Sequence, residues 1–252
     1  MSKRTLAVSA FALIAILLAP PALPAQEPPP LAAVYTVHTH LGHAAEYEAG
    51  LAGLWKAFAK AGVDKPVFVS SSLSEPGDYT FVIGHSSWAD LDAWDQKTGA
   101  AMASAADAMA SLQKMTRSDD WSLWRSRPNL SYVPENPRVT EAEEGFTRVV
   151  FLRPHPEHAG AFEELMKEVV ALRKKHALTD AAYAWQLWAG ADGPAFAVLI
   201  PAKDEADFYT HQAQAMAKMG ADWQALSAKA GSMLREISYG ANRPRPDLAF
   251  TP

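Results

Sequence analysis

The feature that most constrains the fold is a ten-residue segment that occurs twice, once mid-chain and once at the C-terminus. The first copy is residues 125–134, RSRPNLSYVP, and the second is residues 243–252, RPRPDLAFTP. Five positions are identical, and three more differ by like-for-like exchange. His40–Glu48 and His155–Glu163 also align without a gap, sharing both histidines, an alanine and the glutamate. Such self-similarity indicates a tandem repeat, so the chain should fold as two copies of one unit.

Hydrophobic periodicity predicts the same order of elements in both halves. In the first half we expect strands at 33–39, 66–72, 79–84 and 121–125, with helices at 44–61 and 87–115. In the second half we expect strands at 146–153, 183–188, 195–200 and 232–239, with helices after His158 and Asp204. The order β-α-β-β-α-β is the split βαβ unit of ferredoxin-like folds. Aligning Phe196 with Phe81 puts the extra residues of the second half after its third strand.

These patterns divide the chain into five segments. We predict a signal peptide at 1–25, an extended tether at 26–32 and a first ferredoxin-like repeat at 33–134. A linker at 135–145 then leads to the second repeat at 146–252. The predicted fold class is therefore α+β, with two tandem repeats.

The N-terminus is typical of an exported protein. Lys3 and Arg4 precede an apolar run that ends at Pro20, and small residues lead to a predicted cut after Ala25. The apolar core is shorter than the roughly 20 residues of a membrane span, although an uncleaved N-terminal anchor is the alternative. The sequence therefore predicts a periplasmic or secreted protein, with no membrane association after cleavage.

Composition excludes several classes of function. The chain has no cysteine, which rules out thiol nucleophiles, thiolate metal sites and iron–sulfur clusters. Its formal net charge is −5 and it has no basic run, so we expect no nucleic-acid partner. It also lacks a Gly-rich phosphate loop, a Gly-x-Ser-x-Gly elbow, a His-Glu-x-x-His motif and an EF-hand loop. Nucleotide chemistry, serine hydrolysis and zinc proteolysis are accordingly disfavoured.

Two units that each expose one sheet face can bury it by closing a barrel with the helices outside. On this element order, the paired helix starts and the aromatic residues Trp88, Trp94 and Tyr209, the chain resembles the dimeric α+β barrel superfamily. That group includes antibiotic-biosynthesis monooxygenases, NIPSNAP-like proteins and haem-degrading monooxygenases. The resemblance covers nearly the whole mature chain and implies an intramolecular barrel, present as a monomer or homodimer. It implies the fold, and not the activity.

The resemblance also suggests candidate site residues inside the barrel. The catalytic candidates are His38, His85 and Arg153, because a histidine can deprotonate a phenolic or enolic substrate. The ligand-binding candidates are Trp185, Tyr35 and Arg125. The alternative is that these side chains fill the barrel or lie outside it, since strand alternation does not identify the interior face.

Two histidine pairs are the candidates for metal binding. The pairs are His40 with His43 and His155 with His158, with Glu46 or Glu157 as a third ligand. The alternative role of His43 and His158 is to satisfy free backbone groups at a helix start. Because loop histidines lack the fixed spacing of helical metal motifs, we predict no metal. We also predict no cofactor, although His176 and His211 could be axial ligands in a haem protein.

The leading functional prediction is an exported barrel that binds a small aromatic or apolar ligand in the barrel. One alternative is a cofactor-independent monooxygenase-like enzyme acting on an aromatic or quinone-type substrate, and another is a haem- or metal-binding protein. The sequence leaves open whether there is catalysis. The repeated tail has a structural interpretation: Arg127 and Arg245 should pair with carboxylates, while Leu130 and Leu248 anchor the segment.

Overall fold

The computed structural model describes residues 29–252. The signal peptide and the start of the tether lie outside these residues and stay predictions. The strands are β1 (Leu31–Thr39), β2 (Phe68–Ser72), β3 (Asp78–His85), β4 (Thr116–Ser126), β5 (Phe146–Pro154), β6 (Tyr183–Ala189), β7 (Phe196–Ala202) and β8 (Leu234–Pro244). The α-helices are α1 (Ala44–Lys60), α2 (Trp88–Ser104), α3 (Ala106–Met115), α4 (Ala159–Lys175) and α5 (Glu205–Gly231). None of these helices is long and apolar enough to cross a membrane.

The eight strands form a closed barrel in the order β1-β3-β2-β8-β5-β7-β6-β4. Each half contributes four adjacent strands, and the halves join where β2 pairs with β8 and β4 pairs with β6. All neighbouring strands are antiparallel, so β1 and β5 run in the same direction on opposite sides of the barrel. This confirms the predicted tandem ferredoxin-like α+β barrel.

The two faces of the sheet have different roles. The outer face packs against the helices, as where Tyr79, Phe81 and Ile83 of β3 meet the apolar stripe of α1. The inner face fills the barrel, where large side chains from both halves pack together. They include Trp124, Val149, Phe151, Trp185, Leu187 and Leu199. Because side chains alternate between faces along a strand, this contact pattern identifies the interior that the sequence left open.

Each of the two repeated tail segments contacts the opposite half of the chain. Arg127, at the end of the first half, pairs with Glu163 on α4 at 2.6 Å. Arg245, at the end of the second half, pairs with Glu48 on α1 at 2.8 Å. Leu130 and Leu248 are both buried. The predicted pairing and anchoring are therefore confirmed, and each tail is fixed to the opposite repeat.

Several element boundaries differ from the prediction. β1 begins at Leu31 and not at residue 33, because Leu31 pairs with both His85 and Arg125 and so belongs to the sheet. The helix expected at 87–115 is two helices, α2 and α3, with a break at Ala105. Because alanine favours the helix, Ala105 gives no signal in the sequence that the helix breaks there.

The alignment of the third strands was also wrong. Leu152 pairs with Phe196 in the second half, whereas Val37 pairs with Tyr79 in the first. Because Val37 and Leu152 occupy equivalent positions, Phe196 corresponds to Tyr79 and not to Phe81. Part of the insertion therefore lies in the turn before β7, and not after that strand.

Candidate functional site

A deep apolar cavity lies in the second repeat, between helices α4 and α5 and the outer face of β5, β7 and β8. Its volume is about 640 Å³, within the range of small-molecule sites. Most of its lining is aliphatic or thioether, including Leu165, Val169, Val198, Ala215, Met219 and Leu226. The cavity opens beside β8, where the lining residues Ile237 and Tyr239 are exposed.

The two repeats differ at the helix contact that forms one wall of this cavity. In the first repeat, a Cβ atom on Gly50 would lie 2.9 Å from Cδ2 of Leu112, so α1 and α3 approach closely. The equivalent positions in the second repeat are Leu165 and Ala230, and both line the cavity. The large side chain is thus on α3 in the first repeat and on α4 in the second, so the helix contact is built from opposite sides in the two repeats.

Arg173 and Arg235 both belong to this lining, and Arg173 is the more buried of the two. Burial lowers the pKa of the Arg173 guanidinium, and the charge of Asp180 opposes that shift. Arg173 donates one hydrogen bond to the backbone oxygen of Asp180 at 2.8 Å, and its guanidinium lies 5.3 Å from the ring centre of Tyr132. The carboxylate of Asp180 binds Arg138 instead, at 2.5 Å.

The Nε atom of Arg173 is buried and has no hydrogen-bond partner among residues 29–252. A buried cationic donor without a partner is costly, and such groups are usually satisfied by water, an ion or a ligand. Arg173 belongs to the lining, so its guanidinium can supply a positive charge to an anionic ligand in this part of the cavity.

The ligand-binding candidates are not brought together. Trp185 packs inside the barrel with Trp124 and Phe151. Tyr35 lies on the outer face, in contact with the helix-side core. Arg125 is at the surface, with its guanidinium 5.0 Å from the ring centre of Trp188. None of the three candidates is in the lining of the cavity between α4 and α5.

The catalytic candidates also occupy separate places. His38 and Arg153 lie at the same end of the barrel, near the ends of the parallel strands β1 and β5. His38 Nδ1 is 2.6 Å from Oδ2 of Asp78, and Arg153 pairs with Glu236 at 3.0 Å. His85 lies at the other end of the barrel, fully buried on the helix side, with its ring centre 6.1 Å from that of Trp94. Burial lowers the pKa of His85, so it is neutral at physiological pH.

The paired histidines face one another but lack a complete ligand set. The ring centres of His40 and His43 are 6.5 Å apart, and those of His155 and His158 are 6.1 Å apart. Neither His43 nor His158 makes a side-chain hydrogen bond to its helix start, so direct capping does not explain the pairs. His43 Nδ1 instead contacts Glu46 at 2.5 Å.

The cavity does not provide the histidine ligand that a haem group commonly requires. No histidine belongs to the lining formed by the described residues. His176 caps the C-terminus of α4, and His211 lies 3.5 Å from the carboxylate of Asp207. Neither histidine proposed for haem therefore lines this cavity, whose lining offers the sulfur of Met166 and the hydroxyl groups of Tyr132 and Tyr239.

Sequence reasoning missed the cavity because its lining resembles an ordinary helix–sheet core. Apolar residues at helical spacing along α4 and α5 predict burial but not whether the space between them is filled. The available signal was Arg173, a charged residue next to the buried position Leu172.

Comparisons with known proteins identify the fold. No protein-family model and no curated protein sequence matches the chain. An anthrone oxidase-like protein is similar in structure, with a TM-score of 0.60, 12% identity, and coverage of 85% of this chain and 91% of that one. A mutant chlorite dismutase from Candidatus Nitrospira defluvii has a TM-score of 0.55 at 12% identity, with coverage of 86% and 92%. A candidate monooxygenase from Lactobacillus acidophilus NCFM has a TM-score of 0.53 at 8% identity, covering 85% and 93%. At such low identity these similarities show the fold alone.

Proposed function

We propose that this protein, a dimeric α+β barrel with both halves in one chain, binds a small apolar molecule that carries an acidic group. The observation that carries the proposal is the apolar cavity of about 640 Å³ between α4, α5 and the sheet. A cavity of this size with few convergent polar groups is the usual form of a small-molecule site.

The apolar lining would bind the body of the ligand by removing it from water, which stabilises the complex by roughly 25 cal/mol for each Å² of apolar surface buried. Arg173 would bind the acidic group, because its guanidinium belongs to the lining and carries a positive charge. A charge-assisted hydrogen bond in a poorly solvated site is stronger than a neutral one. This arrangement favours an amphipathic acid over a neutral molecule of the same length.

The test compares myristate with 1-tetradecanol, which has the same chain but no charge. We expect the full chain to bind both in isothermal titration calorimetry, with at least tenfold tighter binding of the acid. Arg173→Met should remove this preference and leave binding of the alcohol unchanged. Arg125→Met is the matched control, since it removes a surface arginine outside the cavity.

Ala230→Trp tests the location, because a tryptophan at this lining position would occupy the cavity. We expect it to abolish binding of both probes while the circular dichroism spectrum stays unchanged. Binding that survives Ala230→Trp and responds to Arg125→Met would move the site away from the cavity and contradict the proposal. Absence of binding to either probe by the unsubstituted chain would contradict it as well.

An enzymatic function stays an alternative hypothesis. The fold is shared with an anthrone oxidase-like protein and with a candidate monooxygenase. However, His38 and His85 lie at opposite ends of the barrel and on opposite faces of the sheet, so they cannot act on one substrate. We also propose, from the signal peptide alone, that ligand binding takes place in the periplasm or outside the cell. Fractionation of cells that express the full chain tests this location.

A further inference from the structure

We infer that the first repeat binds a divalent transition-metal ion through His38, Glu75 and Asp78. These residues meet at one end of the barrel, where β1 ends and the turn between β2 and β3 leads into β3. Each offers one ligand atom, and the three atoms all lie within 4.8 Å of one another. This group is separate from the cavity of the second repeat, so the inference does not depend on the proposed ligand binding.

The turn that carries the two carboxylates is fixed against β1 by residues that are not ligands. Thr39 donates hydrogen bonds from both its backbone N and its Oγ1 to the carbonyl oxygen of Gly77, at 3.1 and 2.9 Å. Gly77 has φ +91°, and a Cβ there would lie 2.5 Å from Thr39 Oγ1. The backbone N of Asp78 also donates to the carbonyl oxygen of Glu75 at 3.1 Å. The turn therefore holds both carboxylates beside His38 before any ion is bound.

The imidazole of His38 is oriented as metal-binding histidines usually are. Its Nδ1 lies 2.6 Å from Oδ2 of Asp78, and its Nε2 lies 3.4 Å from Oδ2 of Asp120. A metal ion can replace the proton between His38 and Asp78, while the carboxylate of Asp120 lies close to Nε2. Metal-binding histidines commonly donate their second ring N–H to a carboxylate, which fixes the tautomer and raises the basicity of the ligand nitrogen.

The equivalent corner of the second repeat supports this interpretation. Arg153 takes the place of His38, and Ala195 takes the place of Asp78, because Leu152 pairs with Phe196 as Val37 pairs with Tyr79. Arg153 provides a permanent positive charge there and pairs with Glu236 at 3.0 Å. The histidine and the aspartate are thus present together in one repeat and replaced together in the other. Where the protein supplies its own cation, the histidine and the aspartate proposed as metal ligands are both missing.

The ligand set indicates the class of ion. One imidazole nitrogen with two carboxylate oxygens suits Zn²⁺, Mn²⁺, Fe²⁺ or Co²⁺, whereas Ca²⁺ and Mg²⁺ prefer oxygen ligands alone. Bonds of about 2.1 Å place ligand atoms at most about 4.2 Å apart. Since Glu75 is exposed, a small rotation of its side chain brings the group into this range. The remaining coordination positions would hold water.

The experiment titrates the chelator-treated full chain with ZnCl₂ in calorimetry and with CoCl₂ in visible absorption. We expect one Zn²⁺ per chain, together with cobalt d–d bands in the visible range that report bound nitrogen and oxygen ligands. Glu75→Gln should weaken binding at least tenfold, and because this side chain is exposed the substitution will not unfold the barrel. His38→Gln should abolish binding, and Asp120→Asn should weaken it about tenfold, as is usual for a carboxylate that orients a ligand.

The control is a double substitution of the nearby surface pair, His40→Gln with His43→Gln, which should leave the affinity for Zn²⁺ unchanged. Circular dichroism of each variant without metal checks that it is folded. The inference is overturned if the unsubstituted chain shows no saturable binding of one ion. It is equally overturned if binding survives both Glu75→Gln and His38→Gln, or is lost only in the surface-pair variant.

Discussion

Phe250 is the third residue from the end of the chain, yet it should be among the residues that contribute most to stability. Its side chain is 4% exposed, and its ring centre lies 5.7 Å from those of both Trp55 and Phe58. Its backbone exchanges two hydrogen bonds with Val67, at 3.1 and 3.0 Å. We therefore predict that Phe250→Ala strongly destabilises the fold.

The expected loss follows from the burial of this ring. Transfer of a buried phenylalanine side chain contributes about 1.5–3 kcal/mol, and each aromatic pair adds about 0.5–1.5 kcal/mol. The sum agrees with the loss of roughly 3–5 kcal/mol that is typical of Phe→Ala substitutions in protein cores. For a chain of this length the melting temperature should fall by about 6–20 °C, at roughly 2–4 °C for each kcal/mol.

Urea denaturation followed by tryptophan fluorescence and by circular dichroism measures the free energy of unfolding. The matched control is Phe68→Ala, because Phe68 lies on the adjoining strand β2 but is 54% exposed. We expect this control to cost less than about 1 kcal/mol, as for most surface substitutions. If Phe250→Ala costs no more than Phe68→Ala, the tail does not contribute to the core and the reasoning is refuted.

Three further predictions concern charge and packing. Hydrogen bonding to Arg245 holds the pKa of Glu48 below its usual range. The stability that this pair contributes is therefore present above the ordinary pKa of 4.5, and it is lost as the pH falls through the lower pKa of the folded state. The urea midpoint should therefore fall less on acidification for Glu48→Gln than for the unsubstituted chain. An equal fall of the midpoint with pH in both proteins would contradict this. Gly50→Leu should cost about 1–3 kcal/mol by overpacking against Leu112, so an unchanged urea midpoint would disprove the close helix contact. Arg173→Met should not lower the free energy of unfolding, since burial already disfavours the charge; a loss of more than about 2 kcal/mol would assign Arg173 a structural role.

The architecture could be predicted from the sequence because each half independently shows the same order of strands and helices. The duplicated tail and the paired helix starts indicated two units, and the two-residue alternation of the strands required a shared interior. Local patterns were less informative where the chain departs from the repeat. The pairing of Phe196 with Leu152 depends on the length of a turn, and turn length does not affect the apolar pattern on either side of it.

The candidate site was harder to predict for a physical reason. Strand alternation separates His38 from Tyr35, but it does not say which of them faces the barrel. The sequence also gives no measure of empty space, so apolar residues around a cavity and in a filled core look alike. The partners of His38 come from a turn and from β4, and only the fold brings them together.

The crossed attachment of the two tails has a consequence for how the chain is synthesised. Phe250 completes the core of the first half, whereas Tyr132 bridges to Ala182 in the second half. The core of the first half is therefore complete only after residues 248–250 have been made. A fragment that ends at residue 134 would expose unpaired strand edges. Two such fragments could pair these edges with one another by exchanging tails. The joined chain makes that exchange intramolecular, so its assembly does not depend on protein concentration.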